Sequence, residues 1–246
     1  MTPLSVLLAE DNVVNQRVAA ALLTAIGHKV TVCANGREAV QALADGHFDV
    51  ILMDIQMPVL DGLAATAEIR ALPDPVKAAT PILAISANVR DEDIVRYKEG
   101  GIDHVLPKPL RPDGLKAMLA KVLGAPPEEP AHAAPHAEDL MDGPQVAALR
   151  EALPAEKLSE LYGVAKQSLL STAEMLRDGW HKGDPAEIKS AAHRLAGVAR
   201  NFGCLALGKC AMRIENAARD GGTGKDEQAA FEALLTASLT ALPTDR

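Results

Sequence analysis

At 246 residues, 48% hydrophobic but only 2% aromatic, the chain has apolar material for two cores, filled by aliphatic side chains and alanine. Its net charge of -8 is spread along the chain with no basic patch or stripe, which argues against a nucleic-acid partner. No apolar run approaches the roughly 18 residues of a membrane span. The start lacks the basic and apolar segments of a secretory signal. Three cysteines, Cys33, Cys204 and Cys210, fit reduced thiols of a cytoplasmic protein better than a disulfide framework.

Through the first half, short apolar runs alternate with amphipathic stretches. Leu4–Ala9, Lys29–Cys33, Val50–Met53, Ile82–Ser86 and His104–Leu106 read as strands, several of them apolar throughout, as in strands buried on both faces. Asn15–Ala25, Arg37–Ala44, Gly62–Leu72, Asp91–Glu99 and Arg111–Leu123 read as helices, with Gly27 and Gly100-Gly101 just past helix ends. Five βα units in this order predict an α/β domain over residues 1–124: a five-stranded, doubly wound parallel sheet. Residues 125–138 fall in a proline- and alanine-rich stretch, GAPPEEPAHAAPHA from Gly124, which reads as a semi-stiff linker. Such a linker spans about 20 Å as a flexible coil and about 43 Å as extended polyproline.

Residues 139–246 read as helical throughout. Gly143–Leu153 leads in. Pro154–His181 follows, with Leu158, Leu161, Tyr162, Ala165, Leu169, Thr172 and Leu176 along one face. Asp184 is an N-cap with Pro185 at the first helical position, and that helix runs to Asn201, where Gly203 stops it. Leu205–Arg219 and Lys225–Leu242 complete an all-α antiparallel four-helix bundle. His28 and His47 flank strands and are expected to be exposed. His132 and His136 lie in the linker, and Trp180 is expected to anchor a helix end.

Ligands of open parallel sheets sit at the carboxyl ends of the strands, near the switch in strand order. Strand one ends in Glu10-Asp11, strand three in Asp54 and strand four in Ser86, and Lys108 follows strand five. Three carboxylates this close need a cation, and oxygen-only ligands suit Mg²⁺. A carboxylate can act as a nucleophile and form an acyl phosphate. Mg²⁺ and a lysine neutralise charge on the transferring oxygens, and Ser86 can donate to one of them.

These residues lie in LLAEDNVVNQ (7–16), ILMDIQMPVLDG (51–62), AISAN (84–88) and PKPL (107–110). Residues 4–123 thereby resemble the receiver domain of bacterial response regulators, whose fold is flavodoxin-like, and VNQ looks like receivers attached to hybrid kinases and phosphorelays. The resemblance implies that Asp54 is the phosphoacceptor and that Glu10, Asp11, Asp54 and the backbone carbonyl of Gln56 hold Mg²⁺. It also implies that Ser86 and Lys108 read the phosphoryl group and that a cis peptide precedes Pro109. The family's aromatic residue three positions before the lysine is here Val105. A receiver that mainly passes phosphate on needs little conformational switching.

In the helical half, KSAAHRLAGVARNFGCLALGKCAMRIEN over Lys189–Asn216 places His193 mid-helix, with Gly197 one turn on along the same face. A mid-helix glycine costs about 1 kcal/mol relative to alanine, which suggests a close approach there. An imidazole is largely neutral near pH 7, so a ring nitrogen can attack phosphorus. Lys189, Arg194 and Arg200 can offset a dianionic group. His193, Leu195, Gly197, Asn201 and Gly203, with Cys210 and Glu215 beyond them, resemble the histidine-phosphotransfer (HPt) domain, with Ala196 where that family carries lysine.

The expectation is a phosphorelay signalling protein of a two-component system, with no ATP-binding kinase site. Its partners would be a sensor histidine kinase or hybrid kinase upstream and another receiver or phosphotransfer domain, with no nucleic acid and no membrane. One rival is a signalling docking module with one acceptor silent. The other is a Mg²⁺-dependent phosphatase with an aspartate nucleophile, of the haloacid-dehalogenase type. Such enzymes need a second carboxylate two residues after the nucleophile, where this chain has Gln56, and carry the nucleophile on strand one rather than strand three.

Overall fold

The computed structural model describes residues 3–86, 91–122 and 143–243. The chain divides into two compact units, residues 1–132 and 133–246. The linker expected at 125–138 lies outside the described residues, as do residues 87–88 of the AISAN motif.

In the first unit, β1 (Ser5–Ala9), β2 (Lys29–Cys33), β3 (Val50–Asp54), β4 (Ile82–Ser86) and β5 (His104–Pro107) form one sheet in the order β2-β1-β3-β4-β5, with every pairing parallel. The helices are α1 (Val13–Ala25), α2 (Gly36–Asp45), α3 (Gly62–Arg70), α4 (Pro75–Ala78), α5 (Asp91–Glu99) and α6 (Pro112–Val122). β3 and β4 are buried along their whole length, which explains their unbroken apolar character, whereas edge strand β2 exposes Lys29, Thr31 and Val32. Asn12, Asn35, Asp61 and Asp74 start α1 to α4 by accepting backbone N–H bonds from the first turn.

Short α4 is absent from the sequence reading. Its Asp74-Pro75 start matches the Asp184-Pro185 signal, but four residues with none buried leave no periodicity to detect. His28 also departs from expectation. It is buried, with Nδ1 facing the Leu4 N–H at 3.4 Å and Nε2 enclosed without a hydrogen-bond partner among the described residues. The chain folds back there, because the Lys29 N–H bonds the Leu4 carbonyl as β2 joins β1, and that covers the ring.

The second unit consists of α7 (Gly143–Ala152), α8 (Ala155–Lys182), α9 (Pro185–Asn201), α10 (Leu205–Arg219) and α11 (Gln228–Ala241). α11 was expected to begin at Lys225, but Lys225–Glu227 is a separate 3₁₀ turn. Gly183 and Gly203 adopt positive φ (66° and 76°) where α8 and α9 end, a conformation that costs glycine little. α9 packs between α8 and α10. The apolar stripe of α8 is buried as the periodicity implied, joined by Leu195, Phe202 and Phe231. Each buried leucine or phenylalanine among them contributes about 1.5–3 kcal/mol through burial. Trp180 anchors the end of α8: its Nε1–H donates to the Thr223 carbonyl at 2.8 Å, and its ring meets Phe231 edge-on, centroids 5.7 Å apart.

Candidate functional site

The order of the sheet reverses between β1 and β3, and the register puts their ends level. Ala9 pairs with Met53, so Glu10 and Asp54 follow side by side, and Asp54 pairs with Ile85, one residue before Ser86. Glu10, Asp54, Ser86 and Lys108 are all buried, and Asp11 is half-buried. Carboxylate oxygens of Glu10, Asp11 and Asp54 lie within 4.8 Å of one another. Isolated, such a cluster would repel itself strongly.

Lys108 compensates that repulsion. Its Nζ donates to Glu10 Oε2 at 2.8 Å and to Asp54 Oδ2 at 2.5 Å. The other Asp54 oxygen, Oδ1, accepts the backbone N–H of Gln56 at 3.1 Å. Burial pushes the Glu10 carboxyl up to about 7, with Lys108 pulling it down and Asp54 adding to the rise. Burial works against the Lys108 ammonium, but Asp54 and Glu10 outweigh it and hold its pKa above the ordinary lysine value. The peptide between Lys108 and Pro109 is cis. Val105 is half-buried against the core, and Tyr97 of α5 is buried in the same cluster.

The sequence reading missed how Glu10 is held. Asn15 Nδ2 donates to Glu10 Oε1 at 2.8 Å, and Gln16 Nε2 donates to the Glu10 backbone carbonyl at 2.6 Å. The signal was present in the VNQ motif, but only the turn from β1 into α1 reveals that these side chains reach back to Glu10.

On α9, His193 is largely enclosed, with its side chain 12% exposed, because α8 and α10 pack on both sides of the helix. Its Nδ1 lies 3.3 Å from Glu215 Oε2, and Glu215 Oε1 accepts from Arg219 at 3.1 Å. A carboxylate opposite Nδ1 favours the proton there and leaves the lone pair on Nε2. Gly197 and Ala196 are buried, and Lys189 and Arg194 are half-buried. Arg200 lays its stem over Gly208 and donates to Met212 Sδ at 3.3 Å, and burial lowers its pKa. Glu215 was noted in the sequence only as a motif match, and Arg219 was not singled out.

Comparison with known proteins agrees with both halves. Residues 6–120 match the response regulator receiver domain model and residues 143–245 match the Hpt domain model. The sensor histidine kinase AruS of Pseudomonas aeruginosa is 34% identical over 229 residues, covering 93% of this chain and 22% of that protein. The aerobic respiration control sensor ArcB of Escherichia coli is 28% identical over 217 residues, covering 87% and 28%. The chain therefore spans under a third of the length of these relatives. Among solved structures, the receiver domain of sensor histidine kinase PA1611 from Pseudomonas aeruginosa, described with magnesium in its active-site cleft, is 38% identical. It aligns over 50% of this chain and 100% of its own, with a TM-score of 0.47.

Fold, acidic rim and family matches define a phosphorelay signalling protein. A response regulator receiver domain is thus found over residues 6–120 and an Hpt domain over residues 143–245. Both are phosphotransfer signalling modules.

Proposed function

We propose that this chain carries phosphoryl groups on two acceptors, Asp54 of a receiver domain at 1–124 and His193 of a bundle at 139–246, joined by the linker at 125–138. The carrying observation is the convergence of Glu10, Asp11, Asp54 and Lys108 on one buried rim. Three carboxylates grouped this closely, all oxygen donors, fit Mg²⁺, held by Glu10, Asp11, Asp54 and the Gln56 backbone carbonyl. Bound there, Mg²⁺ supplies positive charge toward the transferring oxygens.

An Asp54 oxygen attacks the phosphorus of a phosphohistidine. The O–P bond forms, the P–N bond breaks, and its electron pair returns to the donor ring nitrogen. Lys108, already against Asp54, shifts to a phosphoryl oxygen, and Ser86 donates to another. Pro109 sets the path of the backbone beside Lys108. At His193 the nucleophile is Nε2, since Nδ1 faces Glu215. Lys189, Arg194 and Arg200 offset the charge of the phosphoryl group, and Gly197 keeps side-chain bulk away from the ring. The chain acts as a phosphotransfer protein rather than a kinase, between a sensor or hybrid kinase and a further receiver or phosphotransfer domain. Its buried cysteines, none in a disulfide among the described residues, suit the cytoplasm.

The test is Mg²⁺-dependent labelling by acetyl phosphate, together with exchange with phosphorylated partner domains. Asp54→Asn is expected to abolish labelling in residues 1–124, and His193→Gln to abolish acid-labile label in the bundle. Persistent label in the first variant removes Asp54 as acceptor. Normal relay by the second makes the bundle a docking module.

A further inference from the structure

We infer that Asn15 is a positioning residue for the cation site: its side-chain amide holds Glu10 Oε1 and thereby fixes the direction of the Glu10 carboxylate within the Glu10, Asp11 and Asp54 cluster. This rests on the reading above that Glu10, Asp11 and Asp54 hold Mg²⁺. Glu10 lies in the turn between β1 and α1, where its side chain could take several rotamers. Asn15 donates to Oε1 at 2.8 Å and the Asn12 N–H approaches the same oxygen at 3.4 Å, while Oε2 points to Lys108 at 2.8 Å. Gln16 restrains the Glu10 main chain through its carbonyl at 2.6 Å.

Two features separate this role from ordinary helix stabilisation. The start of α1 is capped by Asn12, whose Oδ1 accepts from the Val14 and Asn15 N–H groups, so the Asn15 side chain is not needed for capping. Asn15 is also only 5% exposed, where an apolar residue would serve packing better than an amide. An amide fixes the carboxylate without adding charge. A lysine or arginine at 15 would neutralise the cluster and weaken its hold on a cation.

The experiment titrates the full chain with Mg²⁺ alone by calorimetry, comparing wild type with Asn15→Ala and Asn15→Leu. Leucine keeps the branched heavy-atom skeleton of asparagine, with bulkier methyl ends, and removes the donor. Both variants are expected to bind Mg²⁺ roughly 10-fold more weakly, the low end for loss of a group that orients a ligand. The Mg²⁺ concentration for half-maximal acetyl phosphate labelling should rise by the same factor, while labelling at saturating Mg²⁺ stays at the wild-type level. Folded variants with unchanged Mg²⁺ affinity overturn the inference and leave the Mg²⁺ reading standing. Loss in Asn15→Ala with retention in Asn15→Leu overturns it too, since volume rather than the donor would then matter. If wild type shows no saturable Mg²⁺ binding, the Mg²⁺ reading falls and this inference falls with it.

Discussion

His28 and Glu10 couple the first unit to pH with opposite signs. Burial lowers the His28 pKa from its ordinary 6.5, so folding disfavours its protonation. Its contribution is present above pH 6.5 and is lost as pH falls through the depressed value. Glu10, raised by burial to about 7, contributes stability below its ordinary 4.5, and that contribution is lost as pH rises through about 7. Comparing variants isolates each term. His28→Phe is expected to flatten the decline in stability on acidification below pH 6.5, measured by urea denaturation at several pH values. Identical profiles for wild type and variant would show that His28 titrates alike in the folded and unfolded states. At this scale the identities of the rim residues were legible, because strand-end Asp, Ser and Lys stand beside unmistakable apolar runs. The Lys108 bridge and the Asn15 grip were not, since each joins residues through a turn or across the sheet.

Among the elements, α3 depends on a backbone approach that tolerates no side chain. A Cβ on Gly62 would sit 2.2 Å from the Asp54 carbonyl oxygen and 2.9 Å from the Ile55 Cα. Both are main-chain atoms of the strand end that carries Asp54, so neither can yield cheaply. Gly62→Ala is expected to destabilise the first unit by about 3 kcal/mol or more. Gly163, exposed on α8 with nothing within 4 Å of an added Cβ, is the contrast, and Gly163→Ala should stabilise the bundle by about 0.5–1 kcal/mol. Urea midpoints of both variants test the pair, and a destabilised Gly163→Ala would mean that its helix face is covered. Most helices were legible through caps and apolar spacing. α4 was too short for periodicity, and the 3₁₀ turn before α11 continues a helical pattern that sequence cannot divide.

Over the whole chain, two compact units predict separable stability. Phe231 is fully buried in the second unit. Phe231→Ala should cost about 3–5 kcal/mol and lower the melting transition of the bundle. Mg²⁺-dependent labelling of Asp54 should persist at temperatures where the bundle has unfolded. Simultaneous loss of both would show that the units fold as one cooperative body.

The sequence alone determined the α/β order and the helical second half, and it supplied the candidate acceptors that the proposed function uses. Those features are local: period, caps and short motifs act within a few residues, and burial of continuous apolar strands leaves a visible record. Only the tertiary structure decided that Lys108 bridges Glu10 and Asp54, that Asn15 holds Glu10, that His28 is enclosed and that Glu215 faces His193 Nδ1. Each of these depends on side-chain direction after the chain has turned back on itself. That direction is set by packing and electrostatic compensation in a buried setting, which residue spacing does not encode.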